Sequence, residues 1–364
     1  MSTIALDARL FDGMHTGDST YWSCLIRALA ELPTQERFLL YSNRPKPENI
    51  PDRPNFHWIQ LAAKSSRWWS LVSFPLAARK AGASCLHTQY SLSPLAGSIG
   101  MTTVHDVSFL IEPAWFSQKD RTLLTLSVRS AAKRARAILA VSETGKNEIE
   151  AYLPAARGKT TVTYNACPPW IARKESGEAR AEVLSRFGIE RPYLLTLGTR
   201  WARKNMELAV QAASALRDDD PHLLIVAGKG QWSGSELGSR GRAVGYVPNE
   251  ALGTLYSGAS LYLAPSRHEG FGIPLLEAFR CGCPVLCSSG GAFPEVAGGA
   301  AIVEPGWAPS EWSATMEGLL GDSSKLKSLS QAGVQREKAF TWTETALRTL
   351  DVYSGFTRDG RQAA

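Results

Sequence analysis

Short apolar runs rich in branched aliphatic residues alternate along the chain with longer segments of helical period. This texture predicts parallel strands buried beneath helices on both faces, an α/β fold. Strands are expected at Ile4–Leu6, Phe38–Tyr41, Phe56–Ile59, Cys85–His87, Thr102–Val104, Ile138–Val141 and Thr161–Tyr164. Helical period is clearest in Tyr21–Leu32 and Lys119–Arg136. The texture changes at Ala166–Gly177, where a Pro-Pro pair and a polar end without period read as an interdomain linker. A second series of strands follows at Tyr193–Leu197, Leu223–Ala227, Ala243–Val247, Leu261–Ala264, Pro284–Cys287 and Ala300–Val303. Two doubly wound, Rossmann-like domains facing an interdomain cleft are therefore expected, spanning 1–168 and 169–341. Residues 342–364 should add a helix over Thr341–Tyr353 and a frayed polar tail.

Composition narrows the class. At 364 residues, 44% hydrophobic and 20% charged, the chain has the makeup of a globular protein and not of a disordered tail. A net charge of +6 favours anionic ligands or an anionic membrane surface and is too small to imply nucleic acid. The six cysteines do not form a disulfide framework, and Met1–Asp7 lacks a basic segment followed by an apolar one, so the expected compartment is the cytoplasm. No apolar run approaches the ~20 residues that span a bilayer, so membrane contact, on the inner face, would be peripheral. Lys64-Ser-Ser-Arg-Trp-Trp69 with Arg79, Lys80, Arg129, Lys133, Arg134 and Arg136 reads either as a basic aromatic face for anionic lipid or as buried tryptophans beside a solvated helix.

Ligands of open parallel sheets bind beyond the carboxyl ends of the strands. The most informative strand–loop–helix there is Leu261–Gly282. Gly270 and Gly272 permit close backbone approach, Pro274 suits the start of a helix, and Gly282 suits its left-handed end. Free amides near Phe271, Ile273 and Leu275 would make an anion site. Glu269 precedes those donors and Glu277 follows a turn or so into the helix, so both carboxylates are expected at the same pocket mouth. Two acids beside an anion site are costly unless they hold hydroxyls. A nucleotide sugar, with phosphates in its middle and diols at both ends, satisfies all of these groups. A capped surface helix with a favourable acid is the plainer alternative.

A second such element, Tyr193–Asn205, supplies positive charge. Asn205 is a natural N-cap, and it sets Arg203 and Lys204 beside the positive end of the helix dipole, where two cations repel unless an anion sits between them. A diphosphate would resolve that conflict; solvated basic residues in an ordinary loop are the alternative. In the first half, His105 in Thr102-Thr-Val-His-Asp106 stands at a strand end, as a sugar ligand or a structural hydrogen bonder. Near the N-terminus, His15-Thr-Gly-Asp-Ser-Thr-Tyr21 has only Gly17 of a glycine loop, and Asp18 would repel phosphate. Cys281, Cys283 and Cys287 lack metal-ligand spacing and read as buried thiols; no metal site is expected.

At Glu269-Gly-Phe-Gly-Ile-Pro-Leu-Leu-Glu277 the sequence strongly resembles retaining glycosyltransferase family 4, whose fold is GT-B. Leu197–Asn205, Val244–Asn249, Cys281–Val285, Phe293–Gly298, Val104–Asp106 and Val141-Ser142 look like that family's landmarks, in its order. The resemblance implies that Arg203 and Lys204 bind the donor diphosphate and that Glu277 holds the ribose. It implies that Glu269 and the amides of Gly270, Phe271, Gly272 and Ile273 hold the transferred sugar, that the Tyr246–Asn249 loop, with Val247, reads the base, and that His105 contacts the donor sugar. The second domain would then bind the nucleotide sugar and the first the acceptor, a glycan or lipid-linked hydroxyl, with the last helix packed back on the first domain. Relatives usually carry a Gly-x-Gly-Arg type loop after the first strand. Here a Cβ and a carboxylate replace open space and a cation in Gly17-Asp-Ser-Thr20, which bears on acceptor recognition.

The activity so implied is transfer of a sugar, with a lean toward mannose from GDP-mannose, with retention at the anomeric carbon. The departing phosphate oxygen would take the acceptor's proton, and no cofactor is required beyond the nucleoside diphosphate sugar as co-substrate. Two alternatives remain open: a GT-B sugar-nucleotide epimerase, and a non-catalytic nucleotide-binding member.

Overall fold

A computed structural model describes residues 2–11, 16–230 and 232–362, with side chains as far as 356; His15 lies outside them. The chain divides into two compact units, 1–165 with 341–364, and 166–340. Each unit is built on one parallel sheet.

The first unit carries β1 (Thr3–Asp7), β2 (Arg37–Ser42), β3 (Phe56–Gln60), β4 (Cys85–Gln89), β5 (Gly100–Val104), β6 (Ala137–Ala140) and β7 (Thr160–Val162). Their order is β3-β2-β1-β4-β5-β6-β7. The second carries β8 (Tyr193–Leu197), β9 (Leu223–Ala227), β10 (Gly241–Gly245), β11 (Leu261–Ala264), β12 (Val285–Ser288) and β13 (Ile302–Glu304), ordered β10-β9-β8-β11-β12-β13. Every strand anticipated from the apolar runs is present within a few residues of its expected bounds. Central strands such as Leu194–Leu195 and Ile4–Leu6 are almost wholly inaccessible, because helices cover both faces.

In each sheet the chain starts near the middle, winds outward one way, then returns and winds the other. The reversal opens a crevice between β1 and β4 in the first unit and between β8 and β11 in the second, where the chain leaves two adjacent strands toward opposite faces of the sheet.

Two expectations change. The terminal helix runs from Trp342 to Gln362, well past Tyr353. It packs on the helix Gly17–Glu31, and the Tyr353 hydroxyl reaches His87 Nδ1 at 2.7 Å, which anchors the helix where its local pattern ends. The segment Ala166–Gly177 is not a free linker. Ala166, Cys167 and Ile171 are buried, Arg280 Nη1 donates to Pro168 O at 2.8 Å, and the Lys174 amide donates to Ser257 Oγ at 2.9 Å.

His87 is the centre of a fully buried polar cluster in the first unit. Its Nε2 meets Thr103 Oγ1 at 2.8 Å, Thr103 Oγ1 meets the Tyr21 hydroxyl at 3.0 Å, and Trp22 lies edge-on against the imidazole. Burial, with the nearby His105, pushes the His87 pKa down to about 3, so the ring is neutral and holds its two partners by its two nitrogens. Removing one partner leaves a buried nitrogen unsatisfied. Tyr353→Phe should therefore destabilise the first unit by about 1–3 kcal/mol, read as faster hydrogen–deuterium exchange across Trp342–Gln362; unchanged exchange would show that apolar packing alone holds the helix.

Candidate active site

The loops after β8 and β11 meet in the crevice of the second unit. After β8 a single 3-10 turn, Ala202–Lys204, presents Arg203 and Lys204, and the helix Met206–Ser214 begins. Asn205 occupies the N-cap position, but it adopts a left-handed conformation (φ 49°) with no side-chain cap bond, unlike the capping expected of it. That conformation turns the chain sharply between the two cations and the helix. Asn is among the few residues other than glycine that tolerate it.

After β11 the loop carries Glu269, a buried Gly270 and Phe271, then Gly272 at φ +100° and the helix Ile273–Arg280 with a proline in its first turn. A Cβ on Gly272 would stand 2.7 Å from the Phe293 ring. Phe271 is buried with its ring edge-on to Phe340, and Ile273 is half-buried. The Leu275 amide is spent on Gly272 O at 3.0 Å, so it is not one of the free donors expected there. The Gly290-Gly291 pair, which sequence reasoning passed over, lets the loop after β12 lie against this backbone. A Cβ on Gly291 would fall 2.3 Å from Glu269 O, and the Ala292 amide donates to that same oxygen at 2.9 Å.

Three predicted residues converge. Lys204 Nζ donates to Glu269 Oε1 at 2.6 Å, and Arg203 Nη1 donates to Glu269 Oε2 at 3.2 Å and to His268 O at 2.8 Å. The Arg267 amide donates to Arg203 O at 2.8 Å, so the two loops are also joined through their backbones. Burial would raise the Glu269 carboxyl, but Lys204 and then Arg203 outweigh it and hold the pKa at about 2. The anion between the two cations is thus supplied by the protein. Lys204 and Glu269, with Tyr262, Ser266, Pro274 and Phe293 among others, line a small recess open to solvent.

Glu277 does not join them at the recess wall. It is buried on the helix Ile273–Arg280, and its Oε2 accepts from the Tyr256 hydroxyl at 2.9 Å. At the fifth position of the helix, side chain 277 turns toward the neighbouring helix Asn249–Gly258. Burial lifts its pKa to about 7, against the opposing Tyr256 hydroxyl and the Arg280 charge. Two carboxyls eight residues apart thus differ by several units, one permanently ionised and one exchanging its proton near neutrality. Tyr256 left no signal in the sequence, being one of several apolar positions on its helix.

The loop after β10 holds Val247, which is buried, beside an exposed Tyr246 whose ring lies 5.6 Å from Lys229 Nζ. The thiols of Cys281, Cys283 and Cys287 are buried and free.

In the first unit the crevice between β1 and β4 gathers a second set. His105 Nε2–H donates to Gln89 Oε1, with Asp18 Oδ1 3.8 Å from the same nitrogen. The rings of Tyr21 and Tyr90 flank the imidazole at 4.8 and 5.6 Å. Burial lowers the His105 pKa, opposed by Asp18 and Asp106, so the ring is a neutral hydrogen-bonding group. Tyr90 holds φ +56°, a strained conformation directly after β4. Gly17 and Asp18 open the helix Gly17–Glu31 behind a Thr16–Ser19 capping box; a Cβ on Gly17 would meet open space, and the Asp18 carboxylate is partly exposed. Gln89 was missed, although it ends the strand beside β5 and the strand-end rule would have found it.

Comparison with known proteins agrees with this architecture. The family model for glycosyl transferases group 1 matches residues 184–336, which include the whole Arg203–Lys204–Glu269 cluster. O-antigen chain mannosyltransferase B of Escherichia coli is 30% identical over 265 residues, covering 70% of this chain and 69% of that protein. The chain belongs to the group 1 glycosyl transferases. D-inositol 3-phosphate glycosyltransferase of Streptomyces bingchenggensis is 28% identical over 214 residues, 53% of this chain and 47% of its own length, so the match spans less than half of that relative. The solved sucrose-phosphate synthase of Thermosynechococcus elongatus superposes with a TM-score of 0.75 at 18% identity, over 98% of this chain and 99% of that one, and so shares the GT-B fold.

The two carboxyls predict opposite pH behaviour. A carboxyl at about 7 in the folded state, against 4.5 as its ordinary value, stabilises the fold fully below pH 4.5 and loses that contribution as pH rises through 7. Glu269, held at about 2, contributes above pH 4.5 and loses its contribution as pH falls toward 2. The thermal midpoint of the second unit should therefore fall between pH 5 and 8 in the wild type, and Glu277→Gln should remove that fall. Parallel profiles for the two proteins would contradict the assignment.

Proposed function

We propose that this glycosyltransferase moves a sugar from a nucleoside diphosphate sugar to a hydroxyl of a glycan or lipid-linked acceptor, with retention at the anomeric carbon. The observation that carries the reading is the partly buried Arg203–Glu269–Lys204 cluster at the crevice between β8 and β11. Such a crevice is where phosphate-bearing ligands bind in doubly wound sheets.

In this reading Arg203 and Lys204 take the diphosphate. Breaking the glycosidic bond puts negative charge on the leaving phosphate and positive charge on the sugar ring, and two cations fixed before reaction address the first without reorganisation. Glu269 stays ionised, accepts hydroxyls of the transferred sugar and, as the nearest anion, favours the developing ring charge. Gly270, Phe271, Gly272 and Ile273 carry the loop and helix start over that sugar. Glu277, half protonated at neutral pH, both accepts and donates, which suits a ribose diol. The loop bearing Val247 reads the base, and mannose is the favoured sugar on the strength of the Escherichia coli mannosyltransferase relative. GDP is the nucleoside diphosphate we favour. The acceptor's proton passes to the departing phosphate oxygen, so no enzyme nucleophile and no metal cofactor is invoked.

The first unit is assigned to the acceptor, with Gly17 and Asp18 beside it and His105 as a sugar-contacting residue. Asp18 puts a carboxylate where a cation would favour anionic acceptors, so a neutral hydroxyl acceptor is the better fit.

A thermal-shift panel of UDP-, GDP-, ADP- and dTDP-sugars identifies the donor, since a ligand at 100 times its dissociation constant stabilises the native state by ~2.7 kcal/mol. With that donor, Lys204→Ala should lower turnover by about 10²- to 10³-fold, with the circular dichroism spectrum unchanged. Wild-type turnover in this variant would refute the site. The anomeric configuration of the product, read by NMR, tests retention, and release of nucleoside diphosphate only when acceptor is present excludes an epimerase.

A further inference from the structure

The helices of the first unit that connect β3 to β4, β4 to β5 and β5 to β6 all cross in the same direction along the sheet and so lie on one face of it. They are the segment Ser66–Lys80, which includes one π-helical turn at Trp69–Ser73, the 3-10 turns Pro94–Ile99, and the helix Gln118–Arg134. Pro94–Ile99 packs between the other two. Ser93 Oγ donates to Leu71 O at 2.6 Å, and Arg79 Nη1 donates to Leu95 O at 3.3 Å.

The inner side of this layer is ordinary. Trp69, Phe74, Ala78, Val128, Ala131 and Ala132 are buried in one core cluster. The outer side is not. Trp68 is 52% exposed, Leu71 41%, Leu76 50%, Leu95 41%, Leu123 47% and Leu126 63%. A surface helix of a globular protein turns polar residues outward, and a lone exposed leucine needs no explanation. Six large apolar side chains on three adjoining segments do, because patches of that kind mark interaction sites. Of the Trp68-Trp69 pair, one ring is buried and the other exposed.

The charge on this face identifies the occupant. Lys64, Arg67, Arg79 and Lys80 are exposed around the first segment, which has no acidic residue between positions 64 and 80. Lys119, Arg129, Lys133 and Arg134 are exposed along the helix bearing Leu123 and Leu126, whose only acid is Asp120 in its first turn. The chain's whole net charge of +6 resides in residues 1–165, since residues 166–340 hold equal numbers of Lys+Arg and Asp+Glu. A second copy of the same face would bring like charges together. An anionic lipid surface satisfies both features at once: apolar side chains and an indole enter the headgroup boundary while cations meet the phosphates. No helix among the described residues is long and apolar enough to cross a membrane, so the contact lies on the surface.

We propose that the outer face of Ser66–Lys80, Pro94–Ile99 and Gln118–Arg134 docks the first unit on an anionic lipid surface, with Trp68, Leu76, Leu123 and Leu126 in the boundary layer. This goes beyond the transfer reaction and does not depend on it.

The test is flotation of the full chain with vesicles of equal parts phosphatidylcholine and phosphatidylglycerol, against phosphatidylcholine alone. Binding is expected to the mixed vesicles only, weakening as salt is raised. Leu123→Ser with Leu126→Ser, and separately Lys80→Glu with Lys133→Glu, should each weaken it by about tenfold or more, with unchanged circular dichroism because all four side chains are exposed. Trp68→Phe should remove a blue shift in tryptophan emission that accompanies binding. Failure to bind the mixed vesicles, equal binding to neutral ones, or undiminished binding in both paired variants would overturn the proposal. Concentration-dependent self-association abolished by the leucine substitutions would overturn it as well, assigning the face to a contact between copies.

Discussion

Glu269 is placed between two cations that come from a different strand, and the crevice of the second unit is organised by that one constraint. Each member of the cluster would be costly alone: a carboxylate largely removed from water, and an arginine and a lysine side by side beyond the end of β8. Together they satisfy one another. They also brace the reversal point of the sheet, where no strand hydrogen bonds join the two diverging loops, and the backbone bond from Arg267 to Arg203 reinforces the brace. Deleting one partner of such a cluster leaves the others partly buried and uncompensated, which costs more than the pair is worth. The glycines at 272 and 291 follow from the same demand, since each lets a neighbouring ring or backbone approach a loop that the ion cluster has fixed.

The first unit meets the corresponding constraint with neutral groups. Between β1 and β4 and behind them, His87, Thr103, Tyr21 and Tyr353 form a chain of hydrogen bonds in which every member is buried. His105, one strand further on, is held by Gln89 and enclosed by two tyrosine rings. Neutral imidazoles and hydroxyls direct hydrogen bonds without attracting anions. The two crevices, alike in topology, are therefore unlike in chemistry.

The strands and their order of winding were legible because a parallel sheet covered on both faces writes short, continuous apolar runs into the chain, and connecting helices write a different period between them. The convergence of Arg203, Lys204 and Glu269 was legible for a related reason, as strand-end residues in such a sheet all project to one side. What the sequence hid was direction within helices and loops. Glu277 lies on the same helix as the predicted donors, yet one turn of rotation takes its carboxyl to Tyr256, a partner from another helix that no local spacing announces. Asn205 has the composition of a cap and serves instead as a left-handed corner. The terminal helix is anchored by Tyr353 to His87, a partner 266 residues away that its own periodicity does not announce.

The distribution of charge separates recognition of anions by geometry from recognition by bulk field. Residues 166–340 carry no net charge, and within their crevice the two cations are already half neutralised by Glu269. An anion arriving there gains little from long-range attraction. It must instead match fixed donors, which rewards a ligand of one shape over phosphate in general. The cationic excess lies in the first unit, spread over an exposed apolar face, where a diffuse field suits a diffuse partner. A cation cluster that closes on its own carboxylate is thereby protected against adventitious anions, because any competitor must offer the arginine and the lysine better geometry than Glu269 does while leaving that carboxylate something to accept. A ligand combining phosphates with the hydroxyls of a sugar meets both conditions.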